Sequence, residues 1–257
     1  MSAVMRAIAA GVSDVGLQRH HNEDSFLIMR EHDIFIVADG MGGHRAGDVA
    51  SQLAIEAITT FFQSTAHGHI TGPFYFDTQL SEKENRFLAS IHFANKKIFE
   101  KSNRVHQCYG MGTTIVGAMF NSIQNRMLIG HVGDSRCYRI RKSTIQLLTN
   151  DHSLYNEYLV DMPNLTEQQL QELPRNVITR ALGMQEQVVV DFNYDNTHAG
   201  DIYLLCSDGL SSMLSEQEIH QIVVHSQTIQ NTCQQLVQRA NERGGTDNIT
   251  VIVIHIE

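Results

Sequence analysis

The sequence predicts an α+β layered domain. Two observations carry this reading. Strand-like runs follow one another and helical patterns come in pairs, without the strict alternation that a doubly wound sheet requires. The strand-like runs are also separated by short connections, which favours antiparallel neighbours joined as hairpins. The chain has 257 residues, 42% hydrophobic and 18% charged, with three prolines and no low-complexity run or internal repeat. That suits one globular domain, residues 1–257, long enough to bury a substantial core.

The elements follow in order. Phe26–Met29 and Ile34–Val37 are apolar runs joined by a short polar turn. After Gly47 the period changes, and Ala50, Leu53, Ala54, Ala57, Ile58 and Phe61 recur at helical spacing. A second helix spans Ser81 to Lys101, with Leu88, Ile91, Asn95 and Ile98 on one side. Between the two helices, His67 to Asp77 is a loop with two glycines and Pro73. Strand-like runs cover Thr114–Phe120, Arg126–Val132 and Cys137–Arg141. The short spacings make hairpins the economical reading. Asp151 to Pro174 is polar and irregular, with a short helix starting at Thr166, where Thr166 and Gln169 resemble a capping box. Strands return at Val188–Phe192 and Ile202–Cys206. Helices then cover Ser215–His225 and Thr228–Glu242, and the strand Ile249–Ile256 closes the chain.

Charge and cysteine usage exclude several classes of function. The net charge is -9, with a pI near 5.8. The longest basic cluster is Arg139-Ile140-Arg141-Lys142, so a nucleic-acid partner is not expected. Cys108, Cys137, Cys206 and Cys233 form no CxxC pair, which argues against structural zinc. Cys137 and Cys206 lie in apolar runs and read as reduced thiols of a cytoplasmic protein. Met1 to Val15 is too weakly apolar for a secretion signal. No run approaches the ~18 apolar residues of a membrane span.

The chemistry gathers at aspartates that end apolar strands. Asp39 follows Ile34–Ala38, Asp134 follows Ile129–Gly133, Asp208 follows Ile202–Ser207, and Asp247 precedes the last strand. A strand end aims a carboxylate rigidly, and a neighbouring glycine allows close approach. Any one of them alone reads as a turn former. Four from distant segments converge only if a cation neutralises them. All-oxygen ligands select Mg2+ or Mn2+, and two ions sharing a bridging Asp activate water and grip a phosphoryl group. Arg19 offers a planar fork to phosphate, or else forms a surface ion pair. Glu23 and Asp24 either hold metal-bound waters or form a solvated turn.

At these residues the chain resembles a known family. Arg19-x-x-Asn22-Glu23-Asp24, Val37-Ala38-Asp39-Gly40-Met41-Gly42-Gly43-His44, Gly110-Met111-Gly112-Thr113-Thr114 and Val132-Gly133-Asp134-Ser135-Arg136 are followed by Asp151-His152-Ser153-Leu154, Asn176 to Gly183, Ser207-Asp208-Gly209-Leu210 and Gly245 to Thr250. This order resembles the metal-dependent Ser/Thr protein phosphatases of type 2C (PPM), in their compact bacterial branch. The likeness runs from about Val12 to Ile254, nearly the whole chain. It implies a four-layer αββα sandwich of two antiparallel β-sheets flanked by helix pairs, with a binuclear Mg2+ or Mn2+ site in the cleft at one end. It implies that Asp39 bridges two metals, that Gly40 offers its carbonyl, and that Asp208 and Asp247 complete the direct ligands. Glu23 and Asp24 act through water, Asp134 with Asp208 holds a weaker third metal, and Arg19 holds the substrate phosphate. Residues 151–180 resemble the flap beside the site. The implied reaction is hydrolysis of phosphoserine and phosphothreonine by direct attack of metal-activated water, with no phosphoenzyme. The implied partners are the phosphorylated protein substrates of a Ser/Thr kinase, and a monomer is expected. Family members outside this branch carry a histidine directly after Asp-Gly. Here Met41 stands there and His44 lies three residues on, read either as a general acid or as a residue that orders the start of a helix.

Competing motifs fail on their chemistry. Cys233 and Arg239 have tyrosine-phosphatase spacing, but no glycine between them builds an anion nest, and Cys233 falls on an apolar helical stripe. Asp191-x-Asn193-x-Asp195 lacks the Gly and Glu of an EF-hand. No P-loop is present, the glycines after Asp39 miss the dinucleotide pattern, and His20-His21 point apart. Two alternatives in function stay open at this point: a catalytically silent phosphoprotein-binding module, and a phosphatase for small metabolites.

Overall fold

In the computed structural model, which describes residues 5–42, 46–65, 77–162, 166, 169, 173–174 and 177–257, the strands form two antiparallel sheets. The first contains β2 (Asp24–Met29), β3 (Ile34–Met41), β5 (Ile115–Asn121), β6 (Arg126–Val132) and β9 (Asp191–Asn196), in the order β2-β3-β5-β6-β9, with β4 (Gly112–Thr113) attached to β3. The second contains β1 (Ala7–Asp14), β7 (Arg136–Arg141), β8 (Thr144–Leu147), β10 (Ile202–Cys206) and β11 (Ile249–Ile256), in the order β1-β11-β10-β7-β8.

Alternate residues of each central strand feed different cores, because successive side chains point to opposite faces. On β3, Ile34, Ile36 and Ala38 face α1 (Ala46–Ser64) and α2 (Glu82–Arg104). Phe35 and Val37 face the other sheet, where they meet the layer of Leu205, Ile252 and Ile254. On β11, Val251 and Val253 face α5 (Glu216–His225) and α6 (Ile229–Glu242). Three apolar layers therefore separate four layers of structure, as the αββα expectation requires. Cys233 lies in the α6 layer, as its helical stripe predicts.

Local signals explain the helix starts. Ser81 and Glu84 form a capping box at α2, and Ser215 and Glu218 form another at α5. The β2–β3 hairpin turns through Arg30–His32 and a left-handed Asp33.

Five readings change. β1 was not anticipated. Its alanines and Gly11 give little contrast between faces, yet it pairs with β11 along its whole length. β8 is a short edge strand in which Ile145 and Leu147 pack against the helix-side core, over a four-residue alternation too brief to be read as a strand. β6 and β7 are not a hairpin, because the chain crosses from one sheet to the other between them. The strand expected at Val188–Phe192 sits later, at β9, where backbone pairing to β6 decides. Val188 and Val190 instead pack in the helix-side core. Finally, residues 154–161 form a helix, α3 (Leu154–Asp161), capped by Ser153. Thr166 and Gln169 do exchange capping hydrogen bonds, but most of the helix expected there lies outside the described residues, as does nearly all of the 67–77 loop.

Phe87 of α2 lies fully buried over the paired Gly117 and Gly130. Phe87→Ala is expected to cost about 3–5 kcal/mol, read as a lower urea midpoint with the slope unchanged.

Candidate metal centre

Strand register brings the acidic residues to one end of the sandwich. β2 and β3 pair so that Asp24 stands opposite Asp39. β10 and β11 are neighbours, so Asp208, which opens α4 (Asp208–Ser211), and Asp247, just before β11, emerge side by side. Asp134 lies where the chain leaves β6 to change sheets. Asp39 feels Asp24, Asp208, Asp134 and Asp247 together. Glu23 precedes β2, half-buried, and feels Asp48 and Asp247. His44 lies outside the described residues.

The electrostatics show how crowded this end is. Burial, then the surrounding aspartates, holds Asp39 well above the usual carboxylate range. Asp208 is raised by burial and then by Asp247, while a hydrogen bond with Asp39 opposes this. Burial lifts Asp24 to about 7, although Ser207 Oγ donates to it at 2.8 Å. Burial, then Asp208 and Asp151, lifts Asp134 to about 7. Asp24 Oδ1 and Asp134 Oδ1 are buried and accept no hydrogen bond among the described residues. Oxygens desolvated in this way and left without donors suit a hard divalent cation.

Gly40 is required by close approach. A Cβ there would lie 2.0 Å from the Gly47 carbonyl oxygen and 2.6 Å from that of Glu23. The strand end can therefore press against the start of α1 only without a side chain, and Gly40 N–H donates to the Glu23 carbonyl at 3.1 Å. Arg19 stands at the exposed rim, where its Nη2 donates to Asp247 Oδ2 at 2.7 Å. His20 and His21 are exposed.

Sequence reasoning missed the neutral frame around the acids. Asn248 accepts from Glu23 N–H at 2.7 Å and donates to the Val15 and His21 carbonyls at 2.9 and 3.0 Å. It thereby clamps the loop that carries Arg19. Thr114 Oγ1 accepts from Asp39 N–H at 3.3 Å and shares a 2.7 Å hydrogen bond with Ser135 Oγ. The available signal was the small polar residue beside each acidic motif: Thr113-Thr114, Ser135, Ser207 and Asn248.

The chain is similar to known proteins over nearly its whole length. The family profile of protein phosphatase 2C matches residues 18–249. The serine/threonine phosphatase stp of Listeria monocytogenes is 37% identical over 245 residues, covering 94% of this chain and 93% of that protein. The S. agalactiae serine/threonine phosphatase structure superposes with a TM-score of 0.83 at 34% identity, covering 98% of this chain and 100% of that one. The catalytic domain of PstP, solved with two manganese ions, gives a TM-score of 0.80 at 31% identity, covering 98% and 99%.

A pH dependence follows. Asp24 and Asp134 each titrate near about 7 when folded, against about 4 for an unfolded aspartate. Their folded values are raised, so the stability they contribute is full below about pH 4 and lost as the pH rises through about 7. Burial lowers His131 and His152 and acts in the opposite sense, but does so with or without cation. The quantity to read is therefore the difference between urea midpoints in Mn2+ and in EDTA. It should widen from about pH 5 to about pH 8. A difference that narrows over that interval would contradict the electrostatic account.

Proposed function

The chain belongs to the protein phosphatase 2C family, and from that premise we propose that it hydrolyses phosphoserine and phosphothreonine in proteins with Mn2+ or Mg2+ as cofactor. In this reading Asp39 bridges two ions, Gly40 lends its carbonyl, and Asp208 and Asp247 complete the direct ligands. Asp134 joins Asp208 at a weaker third ion, and Glu23 and Asp24 act through water. One observation supports the ligand assignment: Asp24 pairs across from Asp39, and Asp24 Oδ1 and Asp134 Oδ1 are buried without a hydrogen-bond donor among the described residues, a crowding of carboxylates that protonation or a cation relieves. The ions supply positive charge for the phosphoryl oxygens and an activated water.

The chain's own residues do the rest. The Arg19 guanidinium offers paired donors to phosphate oxygens, and a bound phosphoryl group competes for it with Asp247. The segment 151–180, of which residues 151–162, 166, 169, 173–174 and 177–180 are described, is assigned the role of a flap in this reading. His44 is the candidate proton donor to the leaving alkoxide. Direct hydrolysis is supported by the state of the thiols. All four cysteines are buried, and burial pushes Cys206 up to about 12 and Cys233 up to about 11, so neither serves as a nucleophile.

The reading extends to a cytoplasmic monomer that reverses the action of a Ser/Thr kinase. Four unpaired thiols support a reducing compartment. All the assigned acids belong to one chain, so the site needs no second copy. The substrate exists only where a kinase has made it. No helix among the described residues is long and apolar enough to cross a membrane.

Hydrolysis of phosphothreonine peptides with Mn2+, with and without EDTA, tests the assignment. Asp39→Ala and Asp208→Asn should each lose at least about 100-fold in turnover, and near-normal turnover in either removes the ligand roles. A preference for sugar phosphates would reassign the substrate. Binding of phosphopeptide without any turnover would make the protein a recognition module. Arg19→Ala should raise KM more than it lowers kcat, and an unchanged KM would count against phosphate binding by Arg19.

A further inference from the structure

The backbone that leads into Asp134 is gripped by side chains that the proposed site does not use. Gly133 N–H donates to His152 Nδ1 at 3.0 Å, and His152 N–H donates back to the Gly133 carbonyl at 2.9 Å. A backbone N–H only donates, so Nδ1 holds a lone pair and the ring proton sits on Nε2. That proton faces Asp191 Oδ2 at 3.2 Å. Arg180 Nη1 also lies 3.2 Å from Nε2, but a guanidinium only donates and Nε2 carries the proton, so Arg180 Nη1 donates instead to Asp191 Oδ1, at 2.7 Å. The ring of His131 stacks on that of His152, with centroids 4.8 Å apart and planes at 16°. His131 Nε2 engages the Asn150 carbonyl at 2.9 Å.

His131, His152 and Asp191 bring ligand atoms within 4.8 Å of one another, a spacing that would admit a cation. The hydrogen bonds argue otherwise. A metal on His152 Nε2 needs the proton on Nδ1, whose lone pair is committed to Gly133. Arg180 already neutralises Asp191.

The arrangement instead holds a backbone. Gly133 has φ 108°, a conformation that glycine reaches without strain but does not prefer over its alternatives, so the backbone at this point is held by its hydrogen-bond partners, and Asp134 is the next residue. We propose that His152, fixed as the Nε2–H tautomer by Asp191, is a positioning residue that sets the backbone at Gly133 and thereby aims Asp134 at the metal centre. The inference rests on the assignment of Asp134 to the third ion. Thr179 N–H donates to the His152 carbonyl at 2.9 Å, so the returning end of residues 151–180 is tied to the same point.

Two substitutions separate the halves of the ring. The Oδ1 of His152→Asn can stand where Nδ1 stands and accept from Gly133. His152→Gln reaches Asp191 but offers no acceptor to Gly133. Hydrogen exchange at the Gly133 amide, measured without metal, and Mn2+ calorimetry are the readouts. H152Q should expose the Gly133 amide and weaken the weakest Mn2+ site about tenfold, with the tighter sites and the peptide KM unchanged. H152N should keep both readouts within about twofold of wild type. Asp191 is half-exposed, so Asp191→Ala is expected to fold even where H152Q does not. It should weaken the same site, while Asp191→Asn preserves it. Wild-type Mn2+ isotherms in H152Q or D191A, or identical behaviour of H152N and H152Q, would overturn the proposal. A wild-type protein that binds no Mn2+ would sink the metal centre itself, whereas Gly133 exchange would still report on the grip of His152.

Discussion

Mutual repulsion among carboxylates at one end of the sandwich is the constraint around which this molecule is organised. Two unit charges about 4 Å apart repel by about 4 kcal/mol at an effective dielectric of about 20. Four other aspartates act on Asp39 in this sense, in addition to its burial. No flexible loop would hold them together against that force. Here three of the acids are fixed by strand pairing: Asp24 against Asp39 across β2–β3, and Asp208 at the end of β10 beside β11. The sheets that carry them are pinned by apolar layers on both faces, so the cost of crowding is borne by the whole core.

The frame around the acids is neutral, and this has a physical consequence. Asn248, Ser207, Thr114 and Ser135 hold the backbone and side chains with uncharged hydrogen bonds. Lysines in those places would quench the field and remove the reason for a cation to bind. The arginines nearby are either committed or peripheral. Arg136 is paired with Asp151, and Arg19 stands at the exposed rim. The charge left to be neutralised is thus concentrated where a divalent ion and a phosphoryl group would meet.

Much of this was legible in the sequence, and the parts that were not share a cause. Asp39, Asp208 and Asp247 stood out because each follows or precedes an apolar run and has a small neighbour. The helical runs from Ser81 and from Ser215 were read from the sequence, and in the structure capping boxes open both helices. By contrast β1, β8 and β9 have weak or polar patterns and exist because a neighbouring strand offers its backbone. His152 and Asp191 stand in separate motifs 39 positions apart, and their partnership appears only when β9 brings Asp191 to the Nε2 edge of the ring.

Composition and periodicity alone therefore determined the layered α+β class, the helix pairs, and which acidic residues are candidate ligands, because burial and side-chain chemistry are properties of residue types in local order. The tertiary structure decided which sheet each strand joins, where the chain crosses between sheets at Gly133, and which neutral groups hold the acids in place. Those choices depend on pairing between segments far apart in the chain, and backbone hydrogen bonds carry no residue-specific signal from which they could be read.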